Sequence, residues 1–238
     1  MSAGEAVTKP LMIDLFAGLG GWAEGGLENG YDVVGFDIER HVYGEHKYQA
    51  QLVLQDVLTL DGSQFKDAAL IVASPPCQAY SYRAMPWKRA KALPPPDNSL
   101  FESCFRIQRE ASSAAGRHIP MVVENVCGAQ KWVGRARWHY GSFYLWGDVP
   151  ALMPMTSKYK SSGMNWSDRS KRGQDFTRVA GNNAIKNNGG SWFNVAHNTT
   201  SGLANNPVKS PKRKMASALI AKIPLELASY IARVWKPA

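Results

Sequence analysis

Three short segments carry side chains that could do chemistry, and each lies beside an apolar run. Residues 14–21 read DLFAGLGG, a glycine-rich turn through which a ligand could approach the backbone. Residues 74–78 read SPPCQ, so two prolines fix the backbone before Cys77. Residues 124–126 read ENV at the end of another apolar run. A cysteine and a glutamate at strand ends suit nucleophilic catalysis assisted by proton transfer.

Each segment also has a purely structural interpretation. The glycines could serve helix packing, a cysteine is more often buried than reactive, and Glu124 could cap the next helix. Two acidic positions favour a ligand. Asp37 ends a second apolar run, where a carboxylate can hold both ribose hydroxyls, and Asp56 lies where a loop beside an adenine ring would be. The turn is not a dinucleotide G-x-G-x-x-G, so a nicotinamide cofactor is less favoured.

The elements that must position these side chains alternate between strand and helix patterns. Apolar runs predict strands over residues 11–16, 31–37, 69–74 and 119–124, and a further strand over 142–146. Helical patterns cover residues 22–28, with Gly30 as a stop, and 100–115. Continuous apolar strands between helices predict a mostly parallel sheet covered on both faces. The expected fold is therefore a doubly wound α/β domain, with ligands at the carboxyl ends of its strands.

The charge separates a second region from this domain. Residues 151–214 contain 11 basic and 2 acidic side chains, whereas the rest of the chain is balanced. This stretch is rich in Asn, Gly and Ser, so we expect an irregular basic segment that contacts a polyanion, most simply nucleic acid. Residues 214–235 become helical again, with apolar side chains at four-residue steps, namely Leu219, Ile223, Leu227 and Ile231. The predicted division is 1–150 catalytic, 151–212 recognition segment, and 213–238 packing back on the first part.

Composition excludes several other classes. No apolar run approaches the roughly 18 residues of a membrane helix, and the first residues lack the pattern of a secretory signal. Three cysteines without C-x-x-C spacing and five scattered histidines favour neither a disulfide framework nor a metal site. A soluble intracellular protein without a bound metal is expected.

In this order, DLFAGLGG, SPPCQAYS and VVENV resemble the signature segments of the DNA cytosine-5 methyltransferases, in particular the compact phage or bacterial type. The resemblance covers most of residues 11–150. It implies a Rossmann-like methyltransferase fold, S-adenosyl-L-methionine as the methyl donor, double-stranded DNA as the substrate, and a monomer in the cytoplasm, associated with the nucleoid. Restriction-modification or phage DNA modification would be the setting.

The resemblance also implies residue roles. Cys77 would be the nucleophile, placed by Pro76 and Gln78, while Glu124 would hold the target base and Asn125 would support the surrounding loops. The residues expected to bind the cofactor are Phe16, Gly18, Leu19, Gly20, Gly21, Asp37, Ile38, Asp56, Val57, Pro76 and Leu100. Residues 82–99 would form a mobile loop that closes over DNA. The residues expected to contact DNA are Ser81, Arg83, Lys88, Arg89, Lys91, Arg169, Lys171, Arg172 and Arg178.

Two family features are altered, and alternatives remain open. The usual Gln-x-Arg-x-Arg is closest to residues 134–137 (GRAR), so either Arg135 or Arg137 would act at the base. The usual Gly-Asn-x-Val before the last helix is absent, and residues 221–224 lie near its place. Methylation of the exocyclic amine of cytosine, methylation of RNA at carbon 5, or an inactive DNA-binding homologue are the other interpretations.

Overall fold

A computed structural model describes residues 8–84, 88–153 and 214–237, except 216, 217 and 220. Its strands are β1 Leu11–Leu15, β2 Asp32–Asp37, β3 Val42–Tyr43, β4 His46–Lys47, β5 Gln51–Leu54, β6 Ala68–Ala73, β7 Met121–Asn125, β8 Trp138–Tyr140 and β9 Phe143–Gly147. Its helices are α1 Gly21–Glu28, α2 Gln78–Arg83, α3 Lys88–Lys91, α4 Ser99–Ala115, α5 Gln130–Val133 and α6 Leu225–Val234.

Seven of the strands form one sheet in the order β5-β2-β1-β6-β7-β9-β8. The strands from β5 to β7 are parallel, and β9 then pairs antiparallel with both β7 and β8. Two buried clusters of apolar side chains flank the sheet. The expectation of a doubly wound, mostly parallel α/β fold is therefore confirmed. The strand order reverses between β1 and β6, so the main cleft opens at their carboxyl ends.

The structure adds elements that the apolar pattern did not predict. The β5 strand lies at the sheet edge with two of its four residues exposed, and β8 has only three residues. A small hairpin, β3–β4, connects β2 to β5. Short or half-exposed strands such as these carry too little apolar alternation to be recognised from sequence.

The prediction of one continuous helix over residues 214–235 is wrong near its middle. The described residues 214, 215, 218, 219 and 221 are helical, as expected. Residues 222–224 are not helical, and α6 begins only at Leu225. Pro224 explains the break, because proline disfavours helical backbone at the preceding residue and lacks an N–H group. Proline is instead well placed directly before the first turn of the new helix.

Helix α6 packs directly against α1 through closely approaching backbones. A Cβ atom on Gly25 would lie 2.4 Å from the carbonyl carbon of Ala228, and one on Gly21 would lie 2.5 Å from the nitrogen of Ile223. Side-chain hydrogen bonds from the residues just after α1 also reach α6. Asn29 Nδ2 donates to Ser229 Oγ at 2.8 Å and to the Ser229 carbonyl at 3.3 Å, and Tyr31 Oη donates to the Ala232 carbonyl at 2.9 Å. The glycines of α1 are therefore required by space.

We expect Gly25→Ala to lower the free energy of unfolding by about 1–3 kcal/mol, because the new methyl group meets backbone that cannot move away. Gly26→Ala is the matched control in the same helix, since the nearest atoms to its Cβ would be side-chain atoms of Met12 and Val33 rather than the backbone of α6. Both changes gain similar helix propensity. Urea denaturation of the two variants measures the difference. Equal stability of the two would contradict the backbone contact.

Candidate active site

The turn at the carboxyl end of β1, residues 16–21, is called the glycine turn. Its backbone has positive φ at Phe16 (60°), Gly18 (52°) and Gly20 (77°). A Cβ on Gly18 would have only a carbonyl oxygen at 3.8 Å, so this residue leaves open space beside the turn. Leu19 is buried, and Gly21 begins α1. The expected cofactor residues of this segment thus form one continuous turn at the cleft.

Asp37, at the carboxyl end of β2, is tied to the glycine turn. Its Oδ2 accepts a hydrogen bond from Gly18 N at 2.9 Å, and its Oδ1 accepts one from Glu39 N at 3.2 Å and lies 3.7 Å from His41 Nε2. Burial acts to raise the pKa of Asp37, but the bonds from His41, Gly18 and Glu39 outweigh it and lower that pKa. Asp37 is therefore an ionised carboxylate at the cleft.

His41 contributes a pH-dependent stabilisation through Asp37. The bond to Asp37 raises the pKa of His41, against the opposing effect of burial. A histidine whose pKa is higher in the folded than in the unfolded protein stabilises the fold when it is protonated. This stabilisation is complete below the pKa of the unfolded state, about 6.5, and is lost as the pH rises through the pKa of the folded state.

We expect His41→Gln to melt below the parent protein at about pH 5.5, where Asp37 is still charged, and at the same temperature at about pH 9. Thermal melts at the two pH values test this, with the exposed His46→Gln as control. A deficit that persists at the alkaline pH would assign His41 a packing role instead.

A buried acid lies beneath the turn. Asp14 is 1% exposed, and its Oδ2 accepts a hydrogen bond from Tyr48 Oη at 3.2 Å. Burial raises the pKa of Asp14 well above its ordinary value, while the Tyr48 bond opposes that rise. The Tyr48 ring also fills the space beside Gly20 and Gly35. Tyr48 was not singled out from sequence, because it reaches the turn from the segment between β4 and β5, which has no motif of its own.

Residues 74–78, here called the nucleophile loop, follow β6 at the same edge of the sheet. Cys77 is half-buried and immediately precedes α2, and its carbonyl accepts from Tyr80 N and Ser81 N. Asn125 is 1% exposed and donates from Nδ2 to the Pro75 carbonyl at 2.9 Å. Asn125 therefore connects the end of β7 to the loop that carries Cys77.

Glu124 directly precedes Asn125 and is 8% exposed. Strands β6 and β7 are parallel neighbours with Ala73 opposite Val123, so Ser74 and Glu124 lie at the same level. The fold thereby brings the ends of the SPPC and ENV segments together, as parallel strands require.

A cavity of about 280 Å³ opens between the nucleophile loop and the start of α4. Its lining residues are Pro75, Pro76, Gln78, Ala79, Tyr80, Asp97, Ser99, Leu100 and Phe101. Pro76, Gln78 and Leu100 are thus among the expected site residues that share one space.

The remaining expected cofactor residues differ in exposure. Ile38 is 72% exposed beyond β2, and Asp56 is exposed and accepts from Leu58 N at 2.9 Å. Val57 is 1% exposed and lies in the core. The Val57 side chain therefore packs into the apolar core. The exposed surface at this end of the sheet is formed by Ile38 and Asp56.

The expected DNA-contacting side chains after Cys77 lie in two environments. Arg83 donates to the Pro94 and Ala79 carbonyls, both at 2.9 Å, and so braces the following segment. Lys88, Arg89 and Lys91 on α3 are exposed, while Ser81 in α2 is half-buried. Arg169, Lys171, Arg172 and Arg178 lie outside the described residues, as does most of the recognition segment.

The structure does not bring Arg135 or Arg137 to this site. Strand β9 lies between β7 and β8, and its Leu145 is opposite both Glu124 on β7 and Trp138 on β8. Trp138 is therefore level with Glu124, and β8 runs in the same direction as β7. Residues before Trp138 therefore lie toward the amino end of β7, away from the strand ends that carry Cys77 and Glu124. The β8–β9 hairpin, which sequence spacing did not reveal, is the reason for this placement. At the place of the missing Gly-Asn, by contrast, the Ile223 backbone lies against Gly21 of the glycine turn.

Among residues 8–84, 88–153 and the described positions of 214–237, no helix is long and apolar enough to cross a membrane. In the same described residues, no group of three or more His, Cys, Asp or Glu side chains could hold a metal ion.

The fold and cleft define a doubly wound α/β protein with the glycine turn and a thiol-bearing loop at its topological switch point. The chain belongs to the C-5 cytosine-specific DNA methylase family, which matches residues 11–131, just over half of its length. The type II methyltransferase M.DdeI of Desulfomicrobium norvegicum is 30% identical over 126 residues, 49% of this chain. The chain spans only 28% of that relative.

Two solved structures are similar over nearly the whole chain. A Dnmt2 variant from Spodoptera frugiperda is 12% identical with a TM-score of 0.48, covering 95% of this chain and 99% of that one. The methyltransferase EhMeth from Entamoeba histolytica is also 12% identical with a TM-score of 0.48, covering 96% and 98%.

Proposed function

We propose that this protein transfers a methyl group from S-adenosyl-L-methionine to carbon 5 of cytosine in double-stranded DNA. The observation that carries the proposal is the bond from Asn125 to Pro75, which holds the Cys77 loop and the Glu124 strand end together beside the glycine turn. Family membership supports methyl transfer, and the net charge of +9, concentrated in residues 151–214, supports a polyanionic substrate.

The residues at the cleft fit this cofactor. The glycine turn leaves open space at Gly18, and Asp37 presents an ionised carboxylate where ribose hydroxyls would donate. Exposed Ile38 offers an apolar surface for adenine, with Asp56 nearby in the next loop. Pro76 and Leu100 line the adjacent cavity. When bound, the cofactor supplies an electrophilic methyl group.

In the proposed reaction, the Cys77 thiolate adds to carbon 6 of cytosine, forming a carbon–sulfur bond. Glu124 donates a proton to ring nitrogen 3, which accepts the charge developing in the ring. Carbon 5 then gains the methyl group and loses its proton to a base. The electron pair of that C–H bond forms the double bond between carbons 5 and 6 and expels the Cys77 thiolate, while ring nitrogen 3 returns its proton to Glu124. Gln78 and Asn125 hold the loop in which the thiol lies.

These steps require a base that has left the helical stack, because neither face of carbon 6 is open in a duplex. The exposed lysines and arginine of α3 would contact phosphates beside the cleft, and residues 151–212 would read the sequence. We propose that the protein acts as a monomer on DNA in the cytoplasm of a bacterial cell.

Nucleoside mass spectrometry of DNA from cells that produce the protein tests this proposal, with Cys77→Ala as the control. We expect 5-methylcytosine only with the intact cysteine. N4-methylcytosine would show instead that the exocyclic amine is the target. Modified RNA without modified DNA would move the substrate to RNA, and the absence of any product from a folded, cofactor-binding protein would indicate an inactive homologue.

A further inference from the structure

Trp22 links the glycine turn to the nucleophile loop. It is the second residue of α1, is 2% exposed, and its Nε1 donates to Ser74 Oγ at 2.9 Å. Ser74 is the first residue of the nucleophile loop, three positions before Cys77. One side-chain hydrogen bond therefore joins two segments that are 52 residues apart in the chain.

Two prolines reduce the number of backbone hydrogen bonds that the nucleophile loop can donate. Pro75 and Pro76 have no N–H groups, so their backbone cannot donate hydrogen bonds to neighbouring strands. Ser74 N donates to the Leu15 carbonyl at 3.2 Å, and beyond Ser74 the Pro75 carbonyl accepts from Asn125. The two side-chain bonds thus hold the loop from opposite sides, Trp22 from the glycine turn and Asn125 from the strand that carries Glu124.

The indole donor is itself fixed in place. The backbone of Ile223 presses against Gly21, and Lys222 forms an ion pair with Glu24 one turn along α1. The indole has one N–H and no acceptor, and a buried donor left without a partner is costly. The helix therefore holds the Trp22 N–H in one direction, and Ser74 must lie where the bond can form.

We propose that Trp22 is a positioning residue for the nucleophile, acting on Cys77 through Ser74. The bond transmits the position of the glycine turn to the loop that carries the thiol. The inference rests on the proposed function, which assigns Cys77 as the attacking group. Trp22 is 2% exposed, so it is assigned a positioning role and no direct contact with the substrate.

A matched set of variants separates this bond from simple packing. Ser74→Thr keeps a hydroxyl group that can accept the bond. Ser74→Val has the shape of the threonine variant but no hydroxyl group, and Trp22→Phe removes the N–H donor. Trp235→Phe is the control, because it removes an indole bond of 3.0 Å, to the Asp148 carbonyl, remote from the loop. The primary readout is the rate of iodoacetamide alkylation of the Cys77 peptide by mass spectrometry, with exposed Cys127 in the same digest as the internal standard. Its pH profile reports the thiol pKa.

We expect Ser74→Val and Trp22→Phe to change the Cys77 alkylation rate and kcat each by about three- to tenfold, the worth of one net hydrogen bond. Cys127 reactivity and the Kd for S-adenosyl-L-methionine should stay within about twofold. Ser74→Thr and Trp235→Phe should match the parent. Trp22→Phe combined with Ser74→Val should change no more than either alone, because both break the same bond.

Three results would overturn the inference. Equal alkylation rates in Ser74→Thr and Ser74→Val would mean that the hydroxyl is not used. Additive effects of the two single variants would mean that they act separately, and a parallel change at Cys127 would indicate general loosening. Alkylation of Cys77 does not depend on methyl transfer, so the two proposals can fail separately. If the parent protein makes 5-methylcytosine but one of these three results is found, the role of Trp22 is wrong and the proposed function stands. Absence of 5-methylcytosine from every form, parent included, defeats the proposed function and with it the role of Trp22.

Discussion

Cys77→Ala should abolish formation of a covalent complex with DNA that contains 5-fluorocytosine. In the proposed reaction the thiol adds to carbon 6 and carbon 5 accepts the methyl group, but fluorine replaces the proton that must leave, so the carbon–sulfur bond would persist. Denaturing gels of the mixture would show this adduct as a slower band. On ordinary DNA we expect turnover to fall by on the order of 10⁴-fold or more, since only binding and orientation remain without the nucleophile.

Cys127→Ala is the matched control for that experiment. Cys127 is exposed and lies just beyond the ENV segment, only two residues after Asn125, so it shares the edge of the sheet with Cys77. Its removal should leave the adduct intact. The third cysteine, Cys104, is fully buried, and burial raises the pKa of its thiol, so it does not compete. If the adduct still forms with Cys77→Ala but not with Cys127→Ala, the nucleophile is Cys127 rather than Cys77.

Glu124→Gln should lower kcat by about 10²- to 10⁴-fold, the usual contribution of a positioned general acid. The amide has the same shape as the carboxyl group but has no acidic proton to give to ring nitrogen 3. Because strand β6 lies between β7, which carries Glu124, and β1, which leads into the glycine turn, the Kd for S-adenosyl-L-methionine should be unchanged. Single-turnover methylation and calorimetric binding of the cofactor would measure the two quantities on the same preparation.

Glu28→Gln, at the exposed end of α1, provides the comparison for a charge change alone. The adduct on 5-fluorocytosine DNA should also form more slowly in Glu124→Gln, because thiol addition and ring protonation occur together. Full-rate methylation by Glu124→Gln would show that the ring is activated by another donor. A loss of cofactor affinity by the same factor would instead indicate that the strand end had moved.

The parts of the fold that could be predicted from sequence are those with long apolar runs. The runs at residues 11–15, 68–73 and 121–125 are buried almost throughout, and burial on both faces leaves an uninterrupted apolar signature. The run at residues 32–37 is buried at three of its six positions. Because a parallel sheet aligns the carboxyl ends of its strands, recognising those runs also predicts that the SPPC and ENV segments meet. The strand–turn–helix after β1 follows from the same pattern.

What could not be predicted depends on contacts between distant positions. Arg135 lies near a family-like spacing, but the β8–β9 hairpin turns this stretch toward the other end of the sheet, and a three-residue strand has almost no signal. Tyr48 and Trp22 act through partners 34 and 52 residues away, which no local periodicity records. Pro224 is a sequence signal for the break before α6. The apolar residues at four-residue steps on both sides of it nevertheless favoured the prediction of a single helix.

The contact between α1 and α6 also sets the order in which the molecule can be completed during synthesis. Gly25 and Asn29 meet residues about 200 positions later in the chain. At about 5–20 residues per second, the ribosome needs roughly 10–40 s to supply them. Until then the face of α1 that carries Gly21 and Gly25 has no neighbour, and the helix that fixes the Trp22 indole is incomplete. Closure of this contact is long-range and therefore slow, so the nascent chain can complete the surroundings of the Trp22 indole only after residues 223–229 have been synthesised.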